Sequence, residues 1–188
     1  MNKAVFLDRD GVINRKAPEG DYVVRWDEFE ILPGVVEAIR ILNQSAYRVI
    51  VVTNQRAVAK NKMTLSELEE IHGKLIATVA ERGGMIDGIY VCPHDLESNC
   101  RCRKPKAGML LRALEEFEID PQRSWMVGDS PVDIEAGKRS GCRTALVGAG
   151  LNRTDGDMGA DILAGDLSQA VELILRADVS PPLSTSLG

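Results

Sequence analysis

Residues 4–14 read Ala-Val-Phe-Leu-Asp-Arg-Asp-Gly-Val-Ile-Asn. Four consecutive apolar residues are too few for a buried helix and suit a strand covered on both faces. The run stops on Asp8, Arg9 and Asp10, and Gly11 then frees the backbone to approach a neighbour closely. Two later stretches share this form. Residues 48–52 (RVIVV) are rich in β-branched residues and run into Thr53, Asn54 and Gln55. Residues 124–127 (SWMV) run into Gly128 and Asp129, with Asp133 four positions further on.

Helical patterns separate these runs. After Pro33 and Gly34, Val35, Ile39 and Leu42 share one helix face. Thr64 and Glu67 make a capping box, and Leu65, Leu68, Ile71, Leu75 and Val79 follow at helical spacing. Residues 86–91 (IDGIYV) predict a third strand and residues 108–117 a helix, with Leu110, Leu114 and Phe117 in phase. A helix over 131–140 is stopped by Gly141, strands follow at 144–147 and 162–163, and a last helix spans 167–175. This alternation implies an α/β fold with a doubly wound, Rossmann-like parallel sheet. A single domain is expected over 1–177, and the Pro/Ser-rich segment 178–188 is expected to be a disordered tail. In such sheets ligands bind beyond the carboxyl ends of the strands, so the polar residues after each apolar run are the candidates.

At 188 residues the chain can bury a large core without disulfides. Its net charge of −5 disfavours a phosphate-backbone partner, and 4% aromatic content disfavours a stacking platform for single strands, so no nucleic acid is expected. No run is long and apolar enough to span a membrane, and acids at positions 8 and 10 interrupt any leader-like pattern. A cytoplasmic monomer is expected, and an acidic chain can still bind a small phosphate locally through a metal and a few cations.

Asp8, Asp10, Asp129 and Asp133 would converge on one sheet edge with Thr53 and with Lys104, which lies near Lys106 in the loop after the third strand. Close carboxylates repel unless a cation joins them, and hard oxygen ligands point to Mg²⁺. In Asp8-x-Asp10 one carboxylate can attack phosphorus while the other protonates the leaving oxygen and later activates water. Thr53 and a lysine can hold charge on the phosphoryl oxygens. Each element alone has an ordinary explanation: Asp is common in loops, Thr is a β-former, and a Lys pair often marks a solvated face. Their arrival in order at successive strand ends carries the argument.

That set resembles the haloacid dehalogenase superfamily of phosphatases. FLDRDGVI, VVTNQ, RKPKAGM and VGDSPVD match its four motifs in order, across roughly residues 4–150. The resemblance implies that Asp8 forms an aspartyl-phosphate and that Asp10 is the acid/base. It also implies that Mg²⁺ is held by the Asp8 side chain, the Asp10 main-chain carbonyl and Asp129, with Asp133 supporting the site from behind.

Cys92, His94, Cys100 and Cys102 place three thiolates and an imidazole within eleven residues. The cluster fits a closed tetrahedral Zn²⁺ site with no position left for water, hence a structural metal. Cys142 stands apart and is expected to be a buried free thiol. The zinc loop followed by Arg103 and Lys104 resembles the bacterial D-glycero-D-manno-heptose 1,7-bisphosphate 7-phosphatase family. Lys104 would then stabilise the transferring phosphoryl group and Arg103 would help recognise the substrate. The resemblance extends substrate contact to Gly20, Asp21, Tyr22 and Val23, and to Asn54, Gln55 and Arg56 beside Thr53. The chain departs from that family in carrying Arg56-Ala57 where Ser-Gly is usual, and Ser130 where a Lys often follows the last catalytic Asp. No large cap domain is expected. His72 is expected at a surface or boundary position of its helix, and Trp26 and Trp125 as packing residues.

Related histidinol-phosphate phosphatases share the zinc loop, and turnover of the two substrates would separate these activities. A non-catalytic phospho-acceptor domain also uses Asp, Thr and Lys on a doubly wound sheet, but carries its acceptor after the third strand, whereas Asp8 follows the first. A zinc-bearing interaction module with a vestigial site would lack some motif residues, and all are present.

Overall fold

A computed structural model describes residues 1–148 and 159–179. Strands and helices alternate along the chain: β1 (Lys3–Leu7), α1 (Val35–Gln44), β2 (Tyr47–Asn54), the single turn α2 (Arg56–Ala59), α3 (Leu65–Glu81), β3 (Gly88–Cys92), α4 (Gly108–Glu116), β4 (Trp125–Gly128), α5 (Pro131–Ser140), β5 (Arg143–Val147), β6 (Ile162–Ala164) and α6 (Leu167–Val179). The strands form one parallel sheet in the order β3-β2-β1-β4-β5-β6. The chain leaves β1 in one direction to β2 and β3, then crosses back to place β4 on the other side of β1. The crevice at this reversal of strand order is where open α/β sheets bind ligands.

The alternation along β1 shows why residues 4–7 are all apolar. Val5 and Leu7 pack into a core shared with α1, α3 and α6, whereas Ala4 and Phe6 face a second core under α4 and α5. All four are fully buried, as a sheet covered on both faces demands. Register then fixes the site. Leu7 pairs with Val51 and with Val127, and the Asp8 N–H donates to the Val127 carbonyl at 3.0 Å, so three strands end side by side.

Local signals operate as the sequence implies. Thr64 accepts from the Glu67 N–H, the Glu67 carboxylate accepts from the Thr64 N–H, and Gly141 ends α5 at φ +81°. Tertiary contacts move some boundaries. Pairing with β3 carries β2 through Thr53 and Asn54, past the expected end at 52. Residues 178 and 179, expected in the tail, belong to α6, which continues through Val179. Asp178 belongs to the folded domain: its carboxylate accepts from Lys3, the Tyr47 hydroxyl and Arg143. The remainder of that tail, 180–188, lies outside the described residues. Among the described residues no helix is long and apolar enough to cross a membrane.

Gly137 lets α5 lie close against β4 and β5. A Cβ there would fall 2.7 Å from Met126 Cβ and 2.7 Å from Thr144 Cγ2. Alanine gains about 1 kcal/mol in helix propensity, but overpacking a tight core costs about 1–3 kcal/mol. Gly137→Ala is therefore expected to lower the urea midpoint despite its better propensity. A raised midpoint would show that α5 can slide away freely.

Candidate active site

The strand ends open onto a cleft of about 390 Å³ lined by Asp8, Asp10, Asp129, Asp133 and Lys104. Asp8 follows β1, Asp129 and Asp133 follow β4, and Lys104 arrives on the loop between β3 and α4. Lys104 is 2% exposed. Its Nζ lies 2.8 Å from Asp8 Oδ1 and 2.6 Å from Asp133 Oδ1, and donates to the Val52 carbonyl at 2.8 Å. Burial works against its charge, but the two carboxylates outweigh that and raise its pKa. Asn54 anchors this lysine from below: its side chain donates to the Lys104 carbonyl and accepts from the Lys104 N–H.

The two motif carboxylates have opposite surroundings. Burial pushes the Asp8 pKa up to about 7, with Asp133 and Asp10 adding to the rise and Lys104 opposing it. Asp8 Oδ1 accepts from Lys104 and from the Arg9 N–H, while Oδ2 has no hydrogen-bond partner among the described residues. For Asp10, burial also works against the charge. There the Arg9 guanidinium, with hydrogen bonds from Arg9, Asn14 and Gln55, prevails and lowers the pKa. Arg9 Nη2 donates to both Asp10 oxygens at 2.9 Å. Asn14 donates at 3.0 Å and Gln55 at 2.8 Å.

Asp8, Asp129 and Asp133 each offer a carboxylate oxygen within 4.8 Å of the others, which suits a cation. Asp129 Oδ1 is buried without a partner, the mark of an oxygen awaiting a ligand. Asp133 is differently placed: Lys104 takes Oδ1, and Ser130 donates to Oδ2 through its N–H and hydroxyl. Asp8 and Asp129 thus have oxygens free for a metal, and Asp133 orients Lys104. Gly11, at φ +95°, permits the approach of Asp129, since a Cβ would sit 2.2 Å from its Oδ2. Lys16 reaches over the cleft to the same oxygen at 2.8 Å.

Gly20, Asp21, Tyr22 and Val23 line the cleft on the first loop, and Arg56, Arg103 and Ser130 line it elsewhere. Asn54 and Gln55 line it too, and their side chains also bond to the protein itself. Gln55 is 3% exposed and its Nε2 donates to both Asp10 and Thr53 Oγ1 at 2.8 Å. Thr53 lies beneath it, 1% exposed. Arg103 Nη1 donates to the His94 carbonyl at 3.2 Å. Lys106 staples the loop by donating to Asn99 and Cys100.

The four expected metal ligands of that loop do meet. Cys92 Sγ is 3.6 Å from both His94 Nδ1 and Cys100 Sγ, and His94 Nδ1 is 3.2 Å from Cys102 Sγ. The edges of a tetrahedral zinc site are about 3.5–3.8 Å long, given the usual Zn–S and Zn–N bonds. Asp95, next to His94, receives Lys60 at 2.8 Å and Arg56 at 2.5 Å. These cations lower its pKa and tie the loop to α2. Cys142 is a buried free thiol, and Trp125 is buried.

His72 departs from its expected surface place. It is 7% exposed and its Nε2 lies 3.3 Å from Arg9 Nη1. The helical phase shows why: positions 68, 72, 75 and 79 fall on one stripe, so His72 points inward with the leucines. Neither Arg9 nor Asn14 was among the sequence candidates, although an arginine set between two acids at the end of a buried strand is itself a signal.

This arrangement of fold and carboxylates defines a class. The chain belongs to the haloacid dehalogenase-like hydrolases, whose family model matches residues 2–141. It is 38% identical over 182 residues to the D-glycero-beta-D-manno-heptose-1,7-bisphosphate 7-phosphatase of Pasteurella multocida, covering 93% of this chain and 97% of the relative. The protein of the same name from Pseudomonas aeruginosa is 42% identical over 146 residues, covering 78% and 81%. The crystal structure of D,D-heptose 1,7-bisphosphate phosphatase from B. bronchiseptica, complexed with magnesium and phosphate, is similar with a TM-score of 0.82 at 33% identity, covering 93% of this chain and 98% of that one.

Gly11→Ala tests the close approach of Asp129. The substitution is strained by its positive φ and collides with the carboxylate, so phosphatase activity should fall by at least about 100-fold, the scale of a 1 Å misplacement. Far-ultraviolet circular dichroism should stay unchanged. Full activity would mean that Asp129 tolerates displacement.

Proposed function

We propose that this chain is a Mg²⁺-dependent phosphatase that removes the 7-phosphate of D-glycero-D-manno-heptose 1,7-bisphosphate. The observation that carries the reaction type is the contrast between Asp8, held through one oxygen with the other free at the cleft, and Asp10, fixed by three donors beside it. The names of the relatives support the substrate.

Asp8 attacks phosphorus, the bond from phosphorus to the sugar oxygen breaks, and Asp10 gives that oxygen a proton. Asp10 then takes a proton from water as the water attacks phosphorus, and the Asp8–phosphorus bond breaks to release phosphate. Lys104 holds Asp8 for the attack and offers positive charge to the phosphoryl group. Thr53 keeps its hydroxyl hydrogen for the phosphoryl oxygens, its oxygen being taken by Gln55. Asp8, Asp129 and the main-chain carbonyl of Asp10 would hold Mg²⁺, which neutralises charge on the phosphoryl oxygens. Asp133 supports that set.

Arg103 and Arg56 recognise the remote part of the substrate, where a second phosphate would meet a guanidinium fork. Gly20, Asp21, Tyr22, Val23 and Ser130 shape the sugar site, with Asn54 and Gln55 fixing its floor. Zn²⁺ at Cys92, His94, Cys100 and Cys102 stiffens the loop that carries Arg103 and Lys104. A cytoplasmic monomer fits this reading, because thiols stay reduced there and one chain supplies the whole cleft.

The direct test is phosphate release from the heptose bisphosphate and from histidinol phosphate, each with Mg²⁺ and with a chelator. We expect Mg²⁺-dependent turnover of the heptose bisphosphate, with a far higher kcat/KM than for histidinol phosphate. The reverse preference would overturn the substrate assignment. Asp8→Asn should abolish turnover while leaving the melting transition in place, and an active variant would remove Asp8 as nucleophile.

Arg103→Ala should lower kcat/KM for the bisphosphate by about one to two decades, since a hydrogen bond to a charged group is worth about 1.5–3 kcal/mol. A sugar monophosphate should be affected much less. Equal losses on both would restrict Arg103 to bracing the loop. Elemental analysis should find about one zinc per chain, lost more readily to chelators at low pH because the bound ligands are deprotonated. Protein purified with no thiophilic metal would contradict the cluster's role.

A further inference from the structure

The buried stripe of α3 holds one polar residue. Leu68, Ile71, Leu75 and Val79 fill it with apolar side chains, and His72 lies among them. A buried imidazole requires a hydrogen-bond partner, and Arg9 supplies it at 3.3 Å. Arg9 is 1% exposed, and its guanidinium lies 5.5 Å from the centroid of the Phe29 ring. Its Nε is buried without a partner, so the side-chain hydrogen bonds of the guanidinium run to two residues, Asp10 on one side and His72 on the other.

Arginine has no acceptor, so Arg9 donates and His72 Nε2 accepts. That fixes the neutral imidazole with its proton on Nδ1. Burial, then the charge of Arg9, lower the His72 pKa to about 4, in keeping with a neutral ring. His72 does not line the cleft.

We propose that His72 is a positioning residue for this reaction: by accepting from Arg9 it fixes the plane of the guanidinium, and through it the carboxylate of Asp10. The inference rests on the reading of the site as a phosphatase. A guanidinium gripped only by Asp10 could pivot with it, because the arginine stem is flexible. Gripped by His72 as well, it becomes a rigid strut between α3 and the acid/base. Asn14 and Gln55 also hold Asp10, so loss of the strut should loosen the carboxylate rather than release it.

The chemistry supplies a readout that general destabilisation would not. A sugar oxygen needs the proton from Asp10 as its bond to phosphorus breaks, whereas a 4-nitrophenolate leaves without one. Positioning of Asp10 therefore matters to formation of the phosphoryl-enzyme from the first ester and hardly to that from the second.

The experiment compares wild type, His72→Leu, His72→Gln and His72→Asn on the heptose bisphosphate and on 4-nitrophenyl phosphate, with Mg²⁺ present. Glutamine can place an oxygen near the position of Nε2, and asparagine falls short of it. We expect His72→Leu and His72→Asn to lower kcat/KM for the sugar ester by about ten- to a hundredfold, up to the penalty for a 1 Å misplacement. KM should stay within about twofold, and the aryl ester should lose less than about threefold. His72→Gln should recover most of the sugar-ester activity. If His72→Leu does not fold, the comparison of His72→Gln with His72→Asn decides alone. Equal losses on both esters, no loss, or a glutamine variant as poor as asparagine would overturn the proposal. A wild-type chain inert toward both esters would overturn the phosphatase reading, and this inference with it.

Discussion

A lysine ammonium almost wholly removed from water, placed between two carboxylates, is the constraint around which this protein is arranged. Lys104 is 2% exposed and bridges Asp8 and Asp133 at 2.8 and 2.6 Å. Removing one partner from a buried ion pair costs about 3–5 kcal/mol, a large share of the roughly 5–15 kcal/mol that holds a domain folded. The lysine must therefore arrive on a loop that cannot wander. Asn54 clamps its backbone from β2, and the Cys/His cluster gathers the preceding turn. Asp95 ties that turn back to Arg56 and Lys60. The loop after β3, irregular in appearance, is thus anchored at both ends.

Two carboxylates that lie two residues apart are driven in opposite directions. Asp8 is pushed up to about 7 chiefly by burial, and a cation beside it would restore its charge. Asp10 is held down by Arg9 and its hydrogen bonds against the pull of burial. Acidic groups driven apart in this way commonly have different chemical duties. The donors around Asp10 favour its ionised form, the form that can take a proton from water. The topology makes the arrangement possible, since β1 and β4 adjoin at the reversal of strand order and bring Asp8 beside Asp129.

Much of this was legible in the sequence, for physical reasons. Apolar runs that end on acids mark strand termini, because a sheet covered on both faces leaves polar groups only at its ends. The Cys/His cluster was legible because all four side chains come from one short segment. The contacts that escaped are those made across the fold. The burial of His72 and Arg9 follows from α3 packing on the end of β1, and the duties of Asn54 and Gln55 follow from where Lys104 and Asp10 come to rest. Likewise α6 reaches Val179 because Lys3, Tyr47 and Arg143, from three different strands, meet Asp178. No local pattern announces such a meeting.

The central claim is that Asp8 carries the phosphoryl group and Asp10 discharges it. Asp10→Asn, given Mg²⁺ and 4-nitrophenyl phosphate, tests it most directly. The first step then needs no proton on the leaving group, while hydrolysis lacks its base. Acid-quenched protein examined by peptide mass spectrometry should carry a phosphoryl group on Asp8, at far higher occupancy than in wild type. Turnover with no phosphoryl-enzyme in either protein, or a phosphoryl group on another residue, would contradict the account.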